Sequence, residues 1–279
     1  MSTPKRDRQK ANRAAKVAAQ VEAYRKRRNR VIAGWTLGAV AVAVVVWGLV
    51  QGSDDAPVTT QATDSTITST TAATTTETSD AALSDAYSGF RSQPTACGAE
   101  PPPPATAMTF DAPSDQAASG TVSVTIETSC GPIEVALDAD AYPETVNSFL
   151  FLASEGYFDG TACHRIVPGF MTQCGDPTAV GTGGPGYAVP DEYPEDGFAY
   201  ERGVVAMANA GSGTTGSQFF IVTGDASHLP PTFSILGTVV GSEATLDALE
   251  AVPVDFDDAG RERSVPQESV YLETITISS

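Results

Sequence analysis

The sequence predicts a mainly β domain, a closed antiparallel β-barrel capped by two α-helices, preceded by one transmembrane helix and a disordered linker. Three observations predict it. Apolar and polar residues alternate over 121–129 and again over 133–138, the period of half-buried strands. Over 143–156 and 242–252 the period lengthens to that of an amphipathic helix. Residues 31–50 carry no charge at all.

The charge is divided sharply along the chain. Residues 1–30 hold eleven Lys or Arg and two acids, Asp7 and Glu22. The remaining residues hold five Arg, no Lys and 32 acids, within an overall net charge of −18. Between the two regions lies VIAGWTLGAVAVAVVVWGLV, residues 31–50. At about 1.5 Å per residue it reaches about 30 Å, the thickness of a bilayer core. Trp35 and Trp47 sit near its two ends, where interfacial aromatics belong, and the cationic flank of Arg25, Lys26, Arg27, Arg28 and Arg30 marks the cytoplasmic side. The expectation is a single span with the N-terminus inside and the rest of the chain outside, in a bacterial cell envelope. The rival is a cleaved signal peptide. Its apolar region would be unusually long and no A-x-A site follows, although Arg27-Arg28 weakly matches a twin-arginine signal. The basic arm is read as a topology signal attracted to anionic lipid, not as a nucleic-acid site.

Residues 51–95 are rich in Thr, Ser and Ala and nearly lack large apolar residues. Such a segment cannot bury enough surface to offset its ordering entropy, so a disordered tether is expected. A Pro-rich, extended lead-in follows over 96–118, and the globular domain is placed at 119–279, long enough for a core of its own. Its acidity argues against a nucleic-acid partner.

Within the domain, TVSVTIETS (121–129) and IEVALD (133–138) form a hairpin about Cys130-Gly131-Pro132. In the next segment Val146, Phe149, Leu150 and Ala153 fall at i, i+3, i+4 and i+7, with Gly156 as the stop. GVVAMANA, SQFFIVT, FSILGTVV and VYLETITIS supply further strands, and SEATLDALEAV (242–252) a second helix with Leu246 and Leu249 inward.

All four cysteines, Cys97, Cys130, Cys163 and Cys174, follow the span, and an even count outside the cytoplasm favours disulfides. No C-x-x-C is present, so zinc is disfavoured. Taking HRIV and MTQC as a hairpin centred on Pro168-Gly169 makes cross-strand partners sum to 337, which sets Cys163 opposite Cys174 within disulfide range. Cys97 and Cys130 are left to staple the start of the domain to its first hairpin.

Several chemistries lack their parts. There is no G-x-S-x-G, no H-E-x-x-H, and only His164 and His228 as histidine ligands. GTGGPG (181–186) fits G-x-G-x-x-G but precedes YAVPDEYP, not a helix, and is expected to be a flexible surface loop. What remains is one permanent cation, Arg165, among Phe170, Met171 and Gln173.

Three motifs in order, FDGTACHRIVPGFMTQCGDP, VAMANAGSGTTGSQFFIVT and HLPPTFSILGTVV, closely resemble the cyclophilin-type peptidyl-prolyl cis-trans isomerases. The resemblance covers roughly 121–279. It implies a barrel of about eight strands with two capping helices and a proline pocket on the outer face. It implies Arg165 as the catalytic arginine, Phe170, Met171, Phe220 and Leu229 as floor and walls of the pocket, and Gln173, Ala208, Asn209, Ala210 and Gln218 as the groove for the peptide backbone. His164 lies near that groove, equally a substrate contact or a partner for loop backbone. His228 stands where many members have a rim Trp, Phe233 where many have a wall His, and Cys163 and Cys174 where Phe and Gly are common. The resemblance puts Arg165 and Gln173 at one pocket, whereas the hairpin register above sends them to opposite faces. A bulge or twist is needed to reconcile the two.

The implied function is isomerisation of X-Pro bonds in extracytoplasmic proteins by a monomeric catalytic domain with no metal or cofactor. The alternative is a module that binds proline segments with little or no turnover.

Overall fold

The computed structural model describes residues 84–278. The basic arm, the apolar span expected over 31–50 and most of the expected tether lie outside the described residues. Among those described, no helix is long and apolar enough to cross a membrane. In chain order the elements are α1 (Asp85–Ser92), β1 (Thr121–Thr128), β2 (Gly131–Asp138), α2 (Pro143–Ser154), β3 (Arg165–Val167), β4 (Met171–Cys174), β5 (Val204–Met207), β6 (Phe219–Val222), β7 (Ile235–Val239), α3 (Glu243–Glu250), β8 (Val254–Phe256), β9 (Arg263–Pro266) and β10 (Leu272–Ser278). A single 3-10 turn lies at Ala96–Gly98.

Eight strands form one antiparallel sheet in the order β10-β1-β2-β7-β5-β6-β4-β3, and β8 pairs with β9 in a separate ribbon. The alternation seen in the sequence sets the faces. Val124 and Ile126 on β1, and Ile133, Val135 and Leu137 on β2, are all buried, and β1 pairs with β2 in continuous register from Thr121↔Asp138 to Thr128↔Gly131. On α2, Val146, Phe149, Leu150 and Ala153 are buried as their spacing requires. Pro143 opens the helix, and the Glu192 carboxylate accepts the Thr145 N–H at 2.8 Å, a negative charge at the helix N-terminus. Phe149, Phe158 and Phe219 meet with centroids 5.2–5.8 Å apart, filling the inner face of the sheet.

Three expectations are corrected. The barrel is not closed. The sheet curls into a half-barrel whose end strands, β10 and β3, do not pair along their length. β3 is only three residues long, and just ahead of it the chain meets the start of β10 through one isolated bridge, Ala162↔Tyr271. Bonds from Cys163 N–H to Val270 O at 2.8 Å and from Gly160 N–H to Leu272 O at 2.8 Å flank it.

Regular structure is also present before residue 96. Residues 85–92, expected to belong to the tether, form α1, a third helix among the described residues where two were expected. Ser84 caps it by accepting the Tyr87 N–H at 3.0 Å. Tyr87 and Phe90 pack with Ala105, Ala162, Ala179 and Tyr271, across the open seam. The Tyr87 hydroxyl donates to Gly160 O at 2.7 Å and accepts the Ala105 N–H at 2.8 Å. Sheet edges left unpaired invite association with other chains, and this N-terminal segment covers the place where the two edges approach. Composition could not reveal it, because two aromatic residues supply the whole apolar face.

The third correction concerns register. β3 and β4 pair as Arg165↔Gln173, Ile166↔Thr172 and Val167↔Met171, one residue out from the frame that paired Cys163 with Cys174 directly. The turn has three residues, Pro168, Gly169 and Phe170. Cys163 is nevertheless bonded to Cys174, with Cα atoms 4.0 Å apart, because it lies ahead of β3 and outside the ladder. Cys97 is bonded to Cys130, Cα atoms 5.2 Å apart, fastening the N-terminal segment to the tip of the β1–β2 hairpin.

Candidate active site

The corrected register removes the conflict between Arg165 and Gln173. Directly opposed residues share a face, so no bulge is required. The row continues across the sheet: Gln173 opposes Phe220 on β6, and Phe220 opposes Ala206 on β5. Neighbouring Phe219 points inward to the aromatic core, so Phe220 points outward. Arg165, Gln173, Met171 and Phe220 thus stand on the outer face of three adjacent strands.

The three-residue turn is pinned from two sides. Phe170 O accepts the N–H groups of Thr223 and Gly224, each at 3.0 Å, and Gly169 N–H donates to Glu250 on α3 at 2.5 Å. A Cβ on Gly224 would lie 2.2 Å from the Gly169 backbone, so only glycine permits this approach.

Polar side chains along the row form a directed chain. Arg165 Nη1 donates to Gln173 Oε1 at 3.1 Å, Gln173 Nε2 to Gln218 Oε1 at 2.9 Å, and Gln218 Nε2 to Gly183 O at 2.9 Å. Beside it lies an apolar hollow. Met171 and Phe220 are buried, Phe233 is half-buried, and the Phe220 and Phe233 rings meet edge to face at 5.6 Å. Tyr200 holds Phe233 by its backbone, donating to its O at 2.8 Å and accepting its N–H at 3.1 Å. Half-buried Phe170 packs on exposed His228, centroids 4.7 Å apart. Leu229 is half-buried on the β6–β7 loop.

Ala208, Asn209 and Ala210 follow β5. Ala208 N–H donates to Gln218 O at 2.9 Å, and Asn209 Nδ2 donates to Thr232 O at 2.9 Å, tying this loop to the one that carries Leu229. Ala210 is exposed and its N–H donates to Thr214 Oγ1 at 2.8 Å. Asp191 braces the far side of the same loop, accepting from Gly213 N–H at 2.7 Å, Thr215 Oγ1 at 2.8 Å and Ser212 Oγ at 3.0 Å. Burial alone would raise its carboxyl, but these bonds and one from Tyr193 hold it below the ordinary aspartate range.

The glycine loop over 181–186 is not free. Buried Asp176 accepts the N–H groups of Gly181 at 2.7 Å and Gly183 at 3.0 Å. A Cβ on Gly183 would collide with that carboxylate at 2.0 Å. His164 lies beneath this loop, its ring within 3.8 Å of the position a Gly181 Cβ would take. Neither ring nitrogen is hydrogen-bonded among the described residues, so His164 is no partner for loop backbone. Burial lowers its pKa, more than Asp176 raises it, and Arg165 lowers it further.

Sequence reasoning missed the nearest charge to Arg165. Glu262, on the loop between β8 and β9, accepts from Arg165 Nε at 2.8 Å and from Nη2 at 2.8 Å. Hydrogen bonding from Arg165 is the main reason the Glu262 carboxyl sits below the usual glutamate range, against a smaller opposing effect of burial. No local pattern could have found it, since the two residues are 97 positions apart and the ribbon that carries Glu262 was not expected. Tyr200 and Asp191 were missed because their partners are likewise distant in sequence, Phe233 and Thr215. Asp176 was missed although its loop partners are near, because the glycine loop was expected to be free. Among the described residues, no group of three or more His, Cys, Asp or Glu could hold a metal ion.

A curled antiparallel sheet with an arginine, an amide row and an apolar hollow on its outer face defines a class. Residues 123–276 match the family model of cyclophilin type peptidyl-prolyl cis-trans isomerases, and the chain belongs to that family of enzymes. A probable peptidyl-prolyl cis-trans isomerase B of Mycobacterium leprae is 41% identical over 170 residues, which span 55% of this chain and 57% of that protein. The peptidyl-prolyl cis-trans isomerase-like 3 of Rattus norvegicus is 40% identical over 159 residues, 56% of this chain and 96% of that one. A crystal structure of a cyclophilin type isomerase from Cryptosporidium parvum superposes with a TM-score of 0.51 at 31% identity, covering 57% of this chain and 98% of that chain. A second crystal structure of that protein, in the presence of the dipeptide Ala-Pro, gives 0.50 at 31% identity.

Proposed function

We propose that this chain isomerises X-Pro peptide bonds of proteins outside the cytoplasm, with Arg165 acting non-covalently beside a proline-holding hollow. The carrying observation is the outward row on β3, β4 and β6. It sets a fixed cation and two oriented amides, Gln173 and Gln218, next to Met171, Phe220 and Phe233.

Isomerisation breaks no bond. Its barrier is lost amide resonance, about 18–20 kcal/mol in peptides. In the twisted state the imide nitrogen regains its lone pair and accepts a hydrogen bond, and Arg165 supplies an always-charged donor. A donor held in place beside an apolar, water-poor wall is worth more than one in solvent. Phe220, Met171, Phe233, Leu229 and Phe170 grip the ring, while Gln173, Gln218 and the Ala208–Ala210 loop orient the backbone. His164 and His228 border the site, one under the glycine loop and one at the rim.

The reading of a membrane-tethered, external domain rests on the uncharged stretch 31–50 and its basic flank, and it is supported by two cysteine pairs at bonding distance, which suit an oxidising compartment. Two measurements test the proposal. Exchange spectroscopy on an X-Pro peptide should show catalysed exchange with the wild-type chain, and its absence would make the chain a binding module. Thiol labelling of intact cells with membrane-impermeant reagents, after reduction, should reach the cysteines; protection would place the domain inside.

A further inference from the structure

Arg165 is not held by its own strand neighbours alone. A guanidinium has five N–H donors, and three are used here: Nε–H and one Nη2–H by Glu262, one Nη1–H by Gln173. Glu262 takes the side-on edge, both oxygens engaged at 2.8 Å. The opposite corner, Nη1, lies 4.0 Å from Met171 Sδ on the floor of the hollow, and a thioether is a weak acceptor that substrate displaces easily. The carboxylate therefore occupies the edge turned away from the hollow and leaves donors at the edge turned toward it.

Glu262 is delivered by a structure built for it. β8 and β9 pair with each other outside the main sheet, and this ribbon lies alongside β3, the sheet's last strand. Asp257 shapes the loop, accepting from Arg261 N–H at 2.6 Å and Glu262 N–H at 3.3 Å.

We infer that Glu262 is a positioning residue for the isomerase reaction: its bidentate pair fixes the Arg165 guanidinium so that Nη1 faces the proline hollow. The inference rests on the proposed isomerase reading. A long arginine side chain has many rotamers, and each one excluded before substrate arrives is ordering the reaction need not supply. The pair also partly neutralises the cation, an opposing effect. The edge geometry decides between them, because Glu262 consumes Nε–H and one Nη2–H and leaves Nη1, the nitrogen nearest the hollow, to Gln173 and the weakly accepting Met171.

The pairing depends on ionised Glu262. The charged groups facing it are Arg165 from β3 and Asp257 across its own loop, with Arg261 paired to Asp257 at 3.7 Å. Because Arg165 depresses the Glu262 pKa, positioning is intact above the ordinary glutamate range and is lost only as pH falls below it.

The test compares wild type, Glu262→Gln and Glu262→Asp, each checked for folding by circular dichroism and thermal melting. With an X-Pro peptide, Glu262→Gln should lower kcat/KM about tenfold, the loss falling mainly on kcat. Glu262→Asp should recover part of it. Wild-type activity should also show an acid limb below the usual glutamate range that Glu262→Gln lacks. Equal or higher activity in folded Glu262→Gln overturns the inference and makes the carboxylate a block. If wild type itself turns over nothing, the isomerase reading fails separately. The Arg165 Nε–H resonance and the affinity for Ala-Pro then decide. A sharp signal that broadens in Glu262→Gln, with weaker binding, upholds positioning, and no change in either overturns it.

Discussion

The two halves of the site are held by different forces. The hollow is held by packing: Phe220 is 5% exposed, and its ring contacts Phe233 edge-on while Tyr200 clamps the Phe233 backbone. The arginine half is held by charge: the side chains of Arg165 and Glu262 are 34% and 37% exposed and meet across two separate sheets. Packing-held parts fail by unfolding, whereas charge-held parts should fail by losing function with the fold intact. The difference predicts that mutations in the two halves separate stability from turnover.

The largest effect should come from the hollow. Phe220→Ala removes a buried aromatic side chain, which costs about 3–5 kcal/mol, and chemical denaturation should register it as a lower midpoint. Any fraction that folds should show raised KM. If stability holds and only kcat falls, the division between halves is wrong. Next is Arg165→Ala. Removing one preorganised donor costs on the order of 100-fold in rate, and the melting temperature should scarcely move, because a partly exposed ion pair contributes little to stability. Near-normal exchange in an NMR assay would remove Arg165 from the mechanism.

The disulfide beside the site links the halves and sharpens the contrast. Cys163 is two residues before Arg165, and Cys174 is the residue after Gln173. In the chain-entropy view, closing a loop of about eleven residues contributes roughly 2.7 kcal/mol. Cys163→Ser with Cys174→Ser should lower stability by about that much and loosen β3 against β4, reducing activity severalfold. Equal loss in Cys97→Ser with Cys130→Ser would mean that the activity effect is only general destabilisation.

Legibility in the sequence follows the same divide. Period-two patterning placed β1 and β2, and helical patterning placed Val146, Phe149, Leu150 and Ala153 on the buried face of α2, because those signals are local. Motif order brought out the family and the residues of the hollow. The β3–β4 register was missed by one residue, since the sequence shows Pro168-Gly169 and conceals that Phe170 also belongs to the turn. The pairing of Cys163 with Cys174 was reached through that wrong frame. Closure of the barrel depends on whether β3 and β10 meet, which no window of sequence contains. α1 was concealed by the polar composition around Tyr87 and Phe90, and Glu262 by its distance from Arg165 along the chain.

The smallest expected effect concerns His164, which stands where the two halves join. Its sequence neighbour faces the site, while its own ring is buried under the glycine loop with Asp176 and Arg165 as the charged groups nearby. Burial lowers its pKa in the folded protein below the unfolded value of about 6.5. The unfolded chain therefore binds the proton first as pH falls. The stability contributed by neutral His164 is complete above about pH 6.5 and is lost on acidification toward the folded pKa. Asp159 and Glu192, whose carboxyls burial raises, act in the opposite sense as pH falls. They are common to wild type and variant, so a difference cancels them. Melting temperature between pH 7 and pH 5 should fall more steeply in wild type than in His164→Gln. Parallel curves would mean that the imidazole is already solvated in the folded state, and that the glycine loop opens there instead of sealing it.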